Sequence, residues 1–159
     1  MRISGNTVLV TGGATGIGYA IAEAFLSSGS EVVICGRREA CLEEARARLP
    51  GLHARRCDIT GAGERVALVD WMVRQFPDWN LLVNNAGIQR DIDLTKGVAE
   101  LEAGPSEIAV NLEAPVVLAA LAIPHLAGKP NAAIINVSSG LGFVPAAKMP
   151  VYSATKART

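Results

Sequence analysis

Charge of one sign is missing from this 159-residue chain: 15 Lys and Arg stand against 15 Asp and Glu. With zero formal net charge and only 19% charged residues, it offers no electrostatic attraction to nucleic acid or to anionic membranes. Long apolar runs are scarce too. No stretch is expected to reach the roughly 18 residues of a membrane span, and Met1-Arg2-Ile3-Ser4-Gly5 lacks the apolar core of a signal peptide. Cys35, Cys41 and Cys57 are odd in number and form no C-x-x-C pair, so neither a disulfide framework nor a metal site is expected. They read as reduced thiols of a cytoplasmic protein. Repeats, low-complexity tracts and linkers are also missing. Half the residues are hydrophobic, and the length suits one domain, 1–159, that buries roughly two-thirds of its unfolded surface.

The most informative stretch is the first twenty residues. Thr7-Val8-Leu9-Val10-Thr11 is apolar and β-branched, Gly12 to Gly18 follows, and Tyr19 to Leu26 is rich in helix formers. Strand, glycine turn and helix in that order set an anion on a helix N-terminus. Gly12 suits the positive φ at a strand's end. Gly16 lets the backbone approach a pyrophosphate, and Gly18 lets the helix lie close to the sheet. The spacing is G-x-x-x-G-x-G rather than G-x-G-x-x-G, so another anion, or none, remains open at this point.

Further along, short strand-like runs alternate with helical patterns: strands over 31–35, 52–57, 81–84 and 132–137, helices over 38–49, 63–76 and 105–127. In the helix over 63–76, Val66, Val69, Met72, Val73 and Phe76 recur at helical spacing. The strands alternate little, as when helices cover both faces, which predicts a doubly wound parallel α/β sheet of Rossmann type. Ligands of such sheets bind outside the strands' carboxyl ends. Those ends carry the glycine turn, Gly36-Arg37-Arg38, Asp58, Asn84-Asn85-Ala86-Gly87 and Ser138-Ser139. Downstream, Tyr152 and Lys156 are four apart and share a face if the segment is helical.

Taken together, Thr11-Gly12 to Gly18, Asn84-Asn85-Ala86-Gly87, Asn111, Ser139 and Tyr152-x-x-x-Lys156 resemble the short-chain dehydrogenase/reductase family over the whole chain. The resemblance implies a nicotinamide-dependent oxidoreductase interconverting a small-molecule alcohol and a carbonyl. It implies Tyr152 as general acid/base and Ser139 as hydrogen-bond partner of the substrate oxygen. Lys156 would hold the nicotinamide ribose and depress the tyrosine pKa, and Asn111 would help hold a water in the proton path. Cofactor contacts would come from Gly12, Thr15, Gly16, Ile17, Gly18, Arg37, Arg38, Asp58, Ile59, Asn85, Ala86, Gly87, Tyr152 and Lys156. A phenol that titrates near ~10 needs about three units of depression to ionise at neutral pH, roughly 4 kcal/mol, which a nearby ammonium and the oxidised nicotinamide can supply. Ser138 is the rival to Ser139, since neighbours on an extended segment point opposite ways. Ile88 to Leu94 resembles a subgroup linked by name to lipoteichoic-acid D-alanylation, which identifies no substrate.

Four further expectations follow. An acid after the second strand favours NAD and an arginine NADP; Gly36 stands where the acid would be and Arg37 follows, so NADP is preferred over NAD. Thr15, where many NADP-preferring relatives have a basic residue, counts the other way, and Arg37 and Arg38 could be a solvated pair. Pro115 cannot donate to the carbonyl of Asn111, so the long helix should kink there, leaving a carbonyl for water. Ala114 to Ile123 is apolar all round, and a sheet covers one side only, so a homodimer or homotetramer interface, or burial in a larger monomer, would cover the other. Relatives continue well past the Tyr-x-x-x-Lys segment, so a chain stopping at Thr159 is expected to be truncated, with an exposed sheet edge. A nucleotide-binding protein without turnover therefore stays an alternative.

Overall fold

A computed structural model describes residues 2–157; Met1, the first residue of the Met1 to Gly5 stretch, and Thr159, on which the expectation about the chain's end rests, lie outside the described residues. Five strands, β1 (Thr7–Thr11), β2 (Glu31–Gly36), β3 (His53–Arg56), β4 (Trp79–Asn84) and β5 (Ala133–Asn136), form one sheet in the order β3-β2-β1-β4-β5. Every pairing is parallel. The crossovers are α1 (Gly16–Ser27), α2 (Glu39–Arg48), α3 (Ala62–Gln75) and α5 (Ala114–Leu126); α4 (Val98–Glu102) and α6 (Pro150–Lys156) lie outside this alternation. This is the Rossmann-type α/β sheet the alternation predicted. α4 has no counterpart in the sequence reading.

Period-two alternation divides the core between two faces. Leu9, Val33, Cys35 and Leu82 pack with Leu68 and Met72 of α3 and Leu118 and Ala122 of α5. Val8, Val10, Val32, Ile34, Leu81 and Val83 pack with Ala22 and Phe25 of α1 and Leu42 and Ala45 of α2. Both faces are covered, so the strands read as unbroken apolar runs. The α3 face differs from expectation. Its buried stripe is Arg65, Leu68, Val69 and Met72, while Val66 and Val73 are exposed, because a buried arginine does not register in an apolar pattern.

The long helix also departs from the sequence reading. Ala109–Glu113 forms a π-turn ahead of α5, with the Ala114 N–H bonded to the Ala109 carbonyl. Pro115, lacking an N–H, sits where an α-helix would need one, and the widened turn is a common answer to that conflict. From Ala109 to Leu126 the segment is long and apolar enough, by length and composition, to cross a membrane. This corrects the expectation that no stretch reaches that length. Asn111, Glu113 and His125 interrupt the apolar run without offsetting its mean hydropathy. Here it is a core helix on one side, burying Leu118, Ala122 and Leu126, with Val116 and Ile123 exposed on the other. β5 forms one edge of the sheet, its residues half-buried or exposed.

Candidate active site

The site begins where β1 ends. The Thr11 hydroxyl donates to the Val83 carbonyl at 3.3 Å and accepts from the Asn85 and Ala86 amides at 3.0 and 3.1 Å. This side chain stitches the carboxyl ends of β1 and β4 together. Gly12 has φ 65°, the left-handed conformation expected at the strand's end. A Cβ on Gly18 would run into the Gly12 carbonyl and the Asn85 amide, so α1 starts directly against the turn. Gly16 has φ 56°, a conformation that selects glycine, and a Cβ there would meet no protein atom within 4 Å, so no protein group crowds the approach to the turn at that point. Gly13 was missed: its Cβ would collide with Ile34. Thr15 is the N-cap of α1 and makes no side-chain cap bond, so no side chain competes with an anion for the helix's first N–H groups.

A cavity of about 340 Å³ opens over this turn. Gly12, Thr15, Ile17, Gly18, Arg37, Arg38, Asp58, Ile59, Asn85, Ala86 and Gly87 all line it, so the fold gathers these expected cofactor contacts from four strand ends. Gly16 does not line it. Cys35, Cys41, Ile88 and Val110 join the wall, and nothing in residue type or spacing marks them beforehand. The Thr60 amide and hydroxyl donate to Asp58 Oδ1 at 2.9 and 2.8 Å. Those bonds, the amide's first, with Arg37 and Arg56 nearby, hold the Asp58 carboxyl below the usual carboxylate range. All three cysteines are free. Burial raises the Cys35 thiol pKa and pushes that of Cys57 up to about 11.

The residues expected to carry chemistry lie beside this cavity rather than in its wall. α6 opens on Pro150 and places Tyr152 and Lys156 on one face, with Lys156 Nζ 5.9 Å from the Tyr152 ring centroid. Lys156 Nζ donates to the Val137 carbonyl at 2.7 Å, and burial lowers its pKa. The two serines divide by partner. Ser138 Oγ donates to the Lys156 carbonyl at 2.8 Å. Ser139 Oγ accepts from the Leu141 amide at 3.2 Å, heading the 3-10 turn Gly140–Gly142. As acceptor there, Ser139 retains its own proton for another partner.

Asn111 is buried in the π-turn. Its Oδ1 accepts from the Ile88 amide at 2.9 Å, and its Nδ2 donates to the Ile88 carbonyl at 2.8 Å and to Thr155 Oγ1 at 3.2 Å. Asn111 therefore joins the segment after β4 to the helix bearing Tyr152 and Lys156. Gly87 is the meeting point: a Cβ there would lie 3.4 Å from Asn111 Oδ1 and 3.7 Å from Lys156 Nζ. The end of the cavity and the tyrosine helix thus share one corner.

Residues 6–159 match the family model described as short chain dehydrogenase. The chain belongs to the short chain dehydrogenase family. Among its curated relatives, the uncharacterized oxidoreductase DltE of Bacillus subtilis is 51% identical over 157 residues, 99% of this chain and 62% of the relative. The short chain dehydrogenase/reductase dpchG of Colletotrichum higginsianum is 38% identical over 160 residues, 97% of this chain and 59% of the relative. L-fucose dehydrogenase of Bos taurus is 35% identical over 160 residues, 98% of this chain and 57% of the relative. The chain thus spans about three-fifths of these relatives' length.

Proposed function

We propose that this short chain dehydrogenase binds a nicotinamide dinucleotide, NADP in preference to NAD, and interconverts a small-molecule alcohol and carbonyl. The supporting observation is the shared corner at Gly87, where the nucleotide cavity meets Asn111 and Lys156. The cavity fits the adenosine and pyrophosphate half of such a cofactor. Its floor is a glycine turn with no room for side chains at Gly13 and Gly18, and the N-terminus of α1 faces a phosphate. Arg37 and Arg38 supply cations for a 2′-phosphate. Asp58 and Ile59 would line the adenine. When bound, the cofactor supplies or accepts the hydride.

The chain's own residues would do the rest. Tyr152 Oη would donate a proton to the carbonyl oxygen in reduction and take it back in oxidation. Ser139 would give that oxygen a hydrogen bond. Lys156, held on the Val137 carbonyl, would bring positive charge to the tyrosine's side and bond the nicotinamide ribose. Asn111 would keep the proton path in register by fixing Ile88 and Thr155. The exposed apolar side of α5, with Val116 and Ile123, supports a homodimer or homotetramer; zero net charge supports a protein without nucleic-acid partners, and three free cysteines support a cytoplasmic setting. Sugar hydroxyls, as in the name L-fucose dehydrogenase, belong in the substrate panel.

The test is NADPH binding followed by fluorescence, alongside NADPH oxidation against aldehydes and ketones and NADP reduction with alcohols including L-fucose. Binding with turnover that Tyr152→Phe lowers by roughly 10²–10⁴-fold supports the reading. Binding with no turnover on any substrate favours the non-catalytic alternative, and absence of binding overturns both.

A further inference from the structure

Arg65 is the most buried charged side chain of α3, 4% exposed, in a stripe otherwise made of Leu68, Val69 and Met72. An apolar residue would fill that place without a desolvation cost, and a buried ion pair is poor evidence of stabilisation. The partners of the guanidinium suggest another purpose. Nη1 donates to the Ile59 carbonyl at 2.8 Å and the Thr60 carbonyl at 3.2 Å. Nη2 donates to Glu113 Oε1 at 3.2 Å. Ile59 lies on one wall of the nucleotide cavity, and Val110, in the same π-turn as Glu113, lies on another.

We propose that Arg65 and Glu113 are positioning residues that strut the nucleotide cavity, fixing the Ile59 wall to the Val110 wall. The inference rests on the dinucleotide reading of that cavity. The strut works because each end grips irregular backbone, a loop on one side and a π-turn on the other. The loop after β3 leaves the ladder at Arg56, and its Ile59 and Thr60 carbonyls take their hydrogen bonds from Arg65. From the same first turn of α3, Glu64 Oε2 accepts the Asp58 amide at 2.8 Å. On the other side, a π-turn is a less regular backbone than an α-helix, and a charge-assisted bond at Glu113 ties it down. Asn111, two residues earlier, holds Ile88 and Thr155. One guanidinium thereby links the adenine end of the cavity to the turn that supports the tyrosine helix.

Glu113 makes the idea testable, because its side chain is 56% exposed and can be shortened without opening the core. NADPH and ADP-ribose affinities are measured by titration for the wild type, Glu113→Ala, Arg65→Lys and the double variant, with unliganded melting temperatures alongside. The expectation is a loss of about fivefold or more for both ligands in Glu113→Ala. Its melting temperature should fall by several degrees, because the buried Arg65 guanidinium loses its counter-charge, so the affinities are compared well below the transition. The double variant should bind no more weakly than the weaker single variant, since both break one strut. Wild-type binding with Glu113→Ala inside twofold overturns the strut alone, as does a fall in melting temperature unaccompanied by lost affinity. A wild type that binds neither ligand overturns the dinucleotide reading, and the strut with it.

Discussion

Asn111 and Ile88 hold each other by two hydrogen bonds, side-chain oxygen to backbone amide at 2.9 Å and side-chain amide to backbone carbonyl at 2.8 Å. The asparagine imitates a strand neighbour for a residue that has left the sheet. Replacing it with an isosteric leucine would leave both backbone groups of Ile88 and the Thr155 hydroxyl without this partner. Asn111→Leu should therefore cost roughly 2 kcal/mol or more, read as a lower urea midpoint. Turnover should fall further than stability alone accounts for, because Thr155 sits between Tyr152 and Lys156.

Two glycines of the phosphate turn should respond differently to alanine. Gly18→Ala drives a methyl into the Gly12 carbonyl and the Asn85 amide, so NADPH affinity should drop by at least about tenfold as the turn shifts. Gly16→Ala meets open space but retains φ 56°. It should cost about 1 kcal/mol in chemical denaturation, less than Gly18→Ala. Equal losses of stability from both would contradict the separation of crowding from conformation.

Arg37 lines the cavity beside Asp58. Reversing its charge removes one charge-assisted bond to a 2′-phosphate, worth about 1.5–3 kcal/mol, and supplies an acceptor for a ribose hydroxyl. Arg37→Asp should weaken NADPH by roughly tenfold or more and strengthen NADH, measured as a ratio of dissociation constants. An unchanged ratio would sink the NADP preference.

The Asp58 carboxyl is held below its usual range by the Thr60 amide first, then by the Thr60 hydroxyl and the nearby Arg37 and Arg56. A carboxylate with a depressed folded pKa adds stability above its unfolded pKa and loses it as pH falls through the folded value. Asp58→Asn should thus be less stable than wild type at pH 7, by no more than about 1 kcal/mol after solvent screening. The difference should close on acidification below the ordinary carboxylate pKa. A gap that persists there would point to packing instead.

The three thiols should separate under alkylation of the folded protein. Cys35 and Cys57 are buried, whereas Cys41 is partly exposed on the cavity wall. Iodoacetamide followed by peptide mass analysis should mark Cys41 well ahead of the other two, and bound NADPH should slow that labelling. Urea should make all three equivalent.

From the sequence alone came most of what depends on local pattern, with α4 and the π-turn as exceptions. β-branched runs between helical periods define the parallel α/β sheet, and the short spacings of Gly12 to Gly18 and Tyr152 to Lys156 survive folding because one turn or one helix contains each. Element ends shifted by a few residues, as at β4, which begins at Trp79, where hydrogen bonding rather than apolar content decides. What needed the tertiary structure is contact between distant segments. Ser138 and Ser139 look alike in the chain, and only the approach of α6 directs one to the Lys156 carbonyl and the other to the Leu141 amide. Arg65 looks misplaced in an amphipathic pattern until the Ile59 carbonyl and Glu113 supply its partners. Polar groups reveal their roles through partners, and partners tens of residues away become visible only when the sheet brings its strand ends together.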